Sequence, residues 1–213
     1  MQKKALILTY EGMSLSEITL LTDYLTVFQP WEEMWQLDTV GTGKKLIQSE
    51  DCFQIQPNKN LKEVNFSEYE VIILSGIMNP YPIAEDKDLI KFLKPLATMS
   101  VRPLIVAISS APMLLAKAGV LDNVKFTSGL FEETLDEFTF FQKENIVRQP
   151  LVYDDQARIL TAIGFAYREF AVKTAQLLGF EVKDTAFSGI RMAPPYTAEE
   201  LTFHMTPNVQ EES

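Results

Sequence analysis

Residues 104–123, LIVAISSAPMLLAKAGVLDN, place two hydroxyls, Ser109 and Ser110, where a buried apolar run gives way to a helical pattern. A strand that turns sharply into a helix presents its turn residue at the end of a sheet, and the helix start supplies N–H groups that can stabilise an oxyanion. Ser109 is therefore the candidate nucleophile. Ser110 reads as an N-cap for the following helix, with Pro112 tolerated in its first turn. A serine hydroxyl attacks only once a positioned base takes its proton, and the usual base is histidine. The chain has one histidine, His204, in a segment near the carboxyl end that reads as surface or packing. Lys117 lies along the same helix as Ser109, about 12 Å away at about 1.5 Å per residue, too far for a Ser-Lys dyad.

Glu17 is the remaining acid–base candidate, and two readings of it stand. SLSE, residues 14–17, has the spacing of a capping box, in which Ser14 caps a helix and the Glu17 carboxylate satisfies a backbone N–H. Alternatively Glu17 faces Ser109 as a base, which requires burial to raise its pKa. Other chemistries lack their patterns. YEGMSLSE supplies one glycine where a dinucleotide loop needs three, GTGKK lacks the spacing of a phosphate loop, and Ala107 and Ala111 replace the glycines of a G-x-S-x-G elbow. No His, Cys or carboxylate cluster has metal-ligand spacing, so neither a metal nor a cofactor is expected.

The elements that must position these residues follow from periodicity. KKALILTY, YEVIILSG, PLIVAIS and ARILTAI are short apolar runs, each followed by a segment with helical spacing. Four such pairs predict parallel strands covered on both faces by helices. Leu15, Ile18, Leu21, Leu25 and Phe28 form one helical stripe; Leu89, Phe92, Leu93 and Leu96 form another, which Pro95 should bend or end. WQLDTVGTGKKLIQSEDCFQIQPN predicts a strand and a small antiparallel excursion. FEETLDEF reads as a helix with a solvated acidic face, and TAEELTFHM as a short closing helix. Trp31, Trp35, Phe28 and Met34 are expected to pack between the first helix and the next strand. In a parallel sheet, ligands gather beyond the carboxyl ends of the strands, which directs attention to residues 11–17, 75–81, 109–112 and 164–167.

The 213 residues suit one domain over 1–213, with a core over about 3–180 and a C-terminal extension at 181–213. A formal net charge of -10 repels phosphate backbones and anionic headgroups, so no nucleic acid and no membrane partner is expected. Glu11 interrupts the first apolar run too early for a signal peptide, and no other run approaches the ~20 residues of a membrane span. A cytoplasmic location follows as an expectation. Cys52 is the only cysteine, which excludes an internal disulfide and a thiol-rich metal site.

The order of ALILTYEGMSLSEI, YEVIILSG, PLIVAISSAPMLLAKAGVL and LTAIGFAYREFAVKTAQLLG resembles the ThiJ/PfpI superfamily, which includes the Parkinsonism-associated deglycase. The resemblance implies an α/β three-layer sandwich with a mostly parallel, doubly wound sheet, class I glutamine amidotransferase-like and flavodoxin-like. Carried across, Ser109 stands where the family has its reactive cysteine and Glu17 where it has the acid that hydrogen-bonds that cysteine. The family's glycine pair falls on Gly76 and Ile77. Where many members have a histidine after the elbow helix, KFTSGLFEE offers Gly129 or Leu130. The family includes intracellular protease, amidase, glyoxalase and hydratase-type enzymes, and homodimers are common in it.

Two functions stay open. In the first, the chain is a catalytically silent or non-thiol member that keeps a small-molecule pocket, lined by Glu17, Ile77 and Ser109, for binding or regulation. In the second, it is an amidase or hydrolase in which Ser109 attacks, Glu17 or a partner not evident in the sequence serves as base, and the N–H groups at Gly76, Ile77 and Ser110 form the oxyanion and pocket backbone.

Overall fold

The most apolar runs of the sequence form the centre of the molecule because a strand covered on both faces has no polar side to present. In the computed structural model, which describes residues 2–30 and 33–188, these runs are β1 (Lys4–Leu8), β6 (Val71–Leu74), β7 (Leu104–Ile108) and β9 (Ile159–Ala162). All of β6, β7 and β9 is buried. With β2 (Gln36–Gly41), β5 (Lys59–Asn60) and β8 (Leu151–Asp154) they make a seven-stranded sheet in the order β5-β2-β1-β6-β7-β9-β8. Every pairing in it is parallel except β8 with β9. The antiparallel excursion expected after β2 is the two-stranded pair β3 (Ile47–Gln48) and β4 (Gln54–Ile55). The antiparallel edge strand β8 carried no sequence signal of its own beside β9.

From β1 the chain runs outward through β2 to β5, then returns to β6 on the other side of β1 and continues to β7 and β9. Right-handed crossovers therefore put helices on both faces. α1 (Thr19–Leu25) packs against α6 (Tyr167–Leu177), while α2 (Pro80–Ala84) and α3 (Lys87–Leu93) pack against α4 (Pro112–Lys117). The acidic helix is α5 (Glu132–Glu137), with Leu135 buried and Phe131 exposed.

Two helices depart from their predicted extent for identifiable reasons. α3 ends at Leu93 and tightens into a 3₁₀ turn, Lys94–Ala97, because Pro95 has no N–H to continue the α pattern. α1 begins at Thr19 rather than at Ser14, since residues 13–17 are held by another part of the chain. α2 was not anticipated; Asn79 caps it by accepting from the Tyr81 N–H, and Pro80 occupies its first position. The predicted aromatic group divides. Trp35 is buried against Phe180, Phe28 is exposed beside Tyr24 and Phe187, and Trp31 lies outside the described residues. TAEELTFHM, His204 and most of the expected C-terminal extension also lie outside them. No helix among the described residues is long and apolar enough to cross a membrane.

Candidate functional site

The direction of connection reverses between β1 and β6, and such a switch point opens a crevice beyond the carboxyl ends of the strands. The loops after β1 and β6 and the turn after β7 meet there. β7 ends at Ile108, and its ladder with β9 runs one residue further because the Ser109 N–H donates to the Ala162 carbonyl at 2.8 Å. The chain then turns abruptly. Ser109 has φ +62°, a left-handed conformation that costs a non-glycine residue on the order of 1–3 kcal/mol and persists only where its surroundings enforce it. The enforcing bonds are the Gly129 N–H at 2.7 Å and the Ser128 hydroxyl at 3.2 Å, both donated to the Ser109 carbonyl.

Glu17 comes to this turn. One carboxylate oxygen accepts the Gly76 N–H at 2.6 Å, and the group is also hydrogen-bonded with the Ser109 side chain. Burial pushes its carboxyl above the usual range, against the lowering effect of the Gly76 and Ser109 hydrogen bonds, and the negative charges of Glu50 and Asp51 add to the rise. The capping-box alternative is therefore corrected. α1 has Ile18 at its N-cap with no side-chain cap, while Ser14 is buried with its N–H on the Gly76 carbonyl at 2.9 Å. A bridge between Met13 and Ile77 and a Met78 N–H bond to the Gly12 carbonyl fasten the same loops together. These tertiary bonds satisfy the backbone that a longer α1 would have used.

Ser110 is likewise not a helix cap. α4 has Ala111 at its N-cap, and the buried Ser110 hydroxyl instead clamps the loop after β6, accepting the Ile77 N–H at 2.8 Å and donating to the Ile77 carbonyl at 3.1 Å. Buried backbone groups must find partners, and this one side chain supplies both. The N–H groups of Gly76 and Ile77 are thus already donated, to Glu17 and Ser110 respectively; either could serve an oxyanion only by giving up that bond.

Three glycines close around the Ser109 head. A Cβ at Gly76 would stand 2.5 Å from Glu17 and 2.8 Å from the Ser109 Cβ. At Gly164 it would stand 3.0 Å from Glu17 and 3.1 Å from the Ser109 Oγ, and at Gly129 it would meet the Ser109 Cα at 3.1 Å. At Gly76 a Cβ would force a shift, and at Gly164 and Gly129 the neighbours would have to give by a few tenths of an ångström. Just beyond each glycine a large apolar residue is exposed: Met78 after Gly76, Phe131 after Gly129 and Phe165 after Gly164. The floor of the site is thus small and polar.

The structure brings Ser109, Glu17, Gly76, Ile77 and Ser110 together as neighbours, and it adds Tyr10, which the sequence reading did not single out. That phenol is fully buried, donates a short bond to the Ser75 carbonyl, and is pushed far above its usual pKa by burial, so it keeps its proton and ties the ends of β1 and β6 together. Its position directly after β1 was the available signal. Glu50 and Asp51 were also missed, because only the fold of the β3–β4 pair carries them to Glu17. Lys117 is paired with Glu85 at 2.6 Å, in keeping with its exclusion from the site.

Similarity to known proteins agrees with this architecture. A DJ-1 superfamily protein from Agrobacterium tumefaciens superposes with a TM-score of 0.70 at 17% identity, over 88% of this chain and 95% of that one. A thiJ/pfpI family protein from Bacillus anthracis gives 0.69 at 23% identity, over 84% of both chains. DJ-1beta of Drosophila melanogaster gives 0.65 at 24% identity, over 84% of this chain and 91% of that one. At these identities the likeness shows the fold alone. No curated protein matches the sequence. The DJ-1/PfpI family model matches residues 3–177, most of the chain and every strand of the central sheet, and the protein belongs to the DJ-1/PfpI family.

Proposed function

We propose that this chain is a non-thiol member of its family that uses the elbow to hold a small molecule, as a binding or regulatory pocket, without turning it over. The observation that carries the reading is the company of Ser109: its hydroxyl is hydrogen-bonded with a carboxylate, and no imidazole stands among the described residues. A cysteine would be partly ionised at neutral pH and could attack unaided, whereas an alcohol needs a base stronger than a carboxylate, even one raised by burial. Exposed Met78, Phe131 and Phe165 follow the three glycines in the chain, which favours an occupant with an apolar body and one hydrogen-bonding end, placed against Ser109 and Glu17. The reading carries with it, by family analogy alone, the expectation of a cytoplasmic homodimer.

The φ of +62° favours a second reading, because strain of this kind is often kept where chemistry uses it. In it Glu17 removes the Ser109 proton and the oxygen attacks an activated carbonyl. Esterase and glyoxalase assays of the parent, Ser109→Ala and Ser109→Cys decide between the two. Equal background rates for the parent and Ser109→Ala, with turnover gained only by Ser109→Cys, are expected; parent turnover that Ser109→Ala abolishes would overturn the binding reading.

A further inference from the structure

Away from the elbow, at the β5 edge of the sheet, a cavity of about 800 Å³ runs along that outermost strand and the flank of α3. Its volume lies within the range of about 300–1,000 Å³ that holds small organic ligands. The wall is apolar: Phe66 and Phe92 pack with ring centroids 4.7 Å apart, and Leu61, Val64 and Met99 extend the surface. Two cations, Lys62 and Lys91, stand on the same lining, and neither has an ion-pair partner among the described residues.

Of the nearby carboxylates, Asp86 accepts from the N–H groups of Asp88 and Leu89 at the start of α3 and Glu63 accepts from the Asn60 N–H, and neither lines the groove. Asp88 is the only carboxylate of the lining. A cationic, aromatic-walled groove on a chain of net charge -10 is a local reversal of sign. Unpaired ammonium groups beside a pair of aromatic rings match a ligand whose one end is anionic and whose body is flat and apolar.

We propose that this groove is a second ligand site, separate from the elbow, that binds small aromatic or acyl anions such as carboxylates and sulfonates. The ring system lies against Phe66 and Phe92, and the anionic group takes charge-assisted hydrogen bonds from Lys62 and Lys91.

The test uses two fluorescent probes with the same rings, 8-anilinonaphthalene-1-sulfonate and the uncharged N-phenyl-1-naphthylamine, titrated into the folded full chain. The double variant Lys62→Glu/Lys91→Glu, checked for an unchanged melting temperature, should weaken sulfonate binding by about tenfold or more. It should leave the neutral probe within about twofold, because ring burial is untouched. Ser109→Ala should change neither. The proposal fails if the sulfonate does not bind, if both probes or neither respond to the double variant, or if Ser109→Ala removes the signal. It also fails if sedimentation finds a dimer that the double variant dissociates, since the groove is then covered by a second copy of the chain.

Discussion

The elbow and the groove on the far edge of the sheet are built on opposite terms. At the elbow the backbone does the positioning. Ser109 is held at a left-handed φ by two bonds to its carbonyl, and three glycines pack tightly against it, Gly76 so closely that a Cβ there would force a shift. The local charge there is negative, from Glu17 with Glu50 and Asp51 nearby. Along β5 and α3 the side chains make the surface, the space is large, and two lysines outnumber the one aspartate. One region has geometry and little room; the other has room and no nucleophile. The difference teaches that a site assigned by precise placement should fail on small changes of volume, whereas one assigned by lining should respond to charge.

The sharpest way to break that contrast is to put a β-branched valine in each place. Ser109→Val puts a β-branched residue at φ +62° between Gly76 and Gly164 and should cost about 3 kcal/mol in urea unfolding, while Lys91→Val in the groove should stay within about 0.5 kcal/mol. Equal costs would erase the distinction. Next in size is Gly76→Ala, which should cost about 2 kcal/mol because its Cβ meets both Glu17 and the Ser109 Cβ. A neutral outcome would mean that the loops after β1 and β6 part readily.

The smallest effect concerns Glu17. Its folded-state pKa is raised above the unfolded value, so its contribution to stability is complete at pH values below the ordinary carboxylate range and is lost as pH rises through the folded value. Glu17→Gln keeps an acceptor for the Gly76 N–H and removes this loss. The melting temperature of the variant should therefore gain on the parent by about 2 °C between mildly acidic and neutral pH. A gap that closes as pH rises would show that the carboxylate is stabilised at the site rather than penalised.

Much of the fold was legible because its central strands are covered on both sides, so LIVAI and VIIL had to be continuous apolar runs. Pro95 marked the end of α3 for an equally local reason, the missing N–H. Ser14 and Ser110 misled for a common cause. Each has the local chemistry of a helix cap, and each is taken instead by the loop after β6, through the Gly76 carbonyl and the Ile77 backbone. The candidate site was legible as a set of neighbours, since residues after parallel strands must converge, but which group each N–H would serve was not.

The sequence by itself determined the alternation of buried strands and amphipathic helices, the hydroxyl at the end of β7 and the acidic surface, because apolar periodicity and side-chain type are local properties. Only the tertiary structure decided that Glu17 leaves its helix to meet Ser109, that Ser110 clamps Ile77, and that two lysines face an apolar groove. Those outcomes depend on competition among distant backbone partners for the same buried polar atoms. Chain folding resolves that competition, and residue spacing cannot.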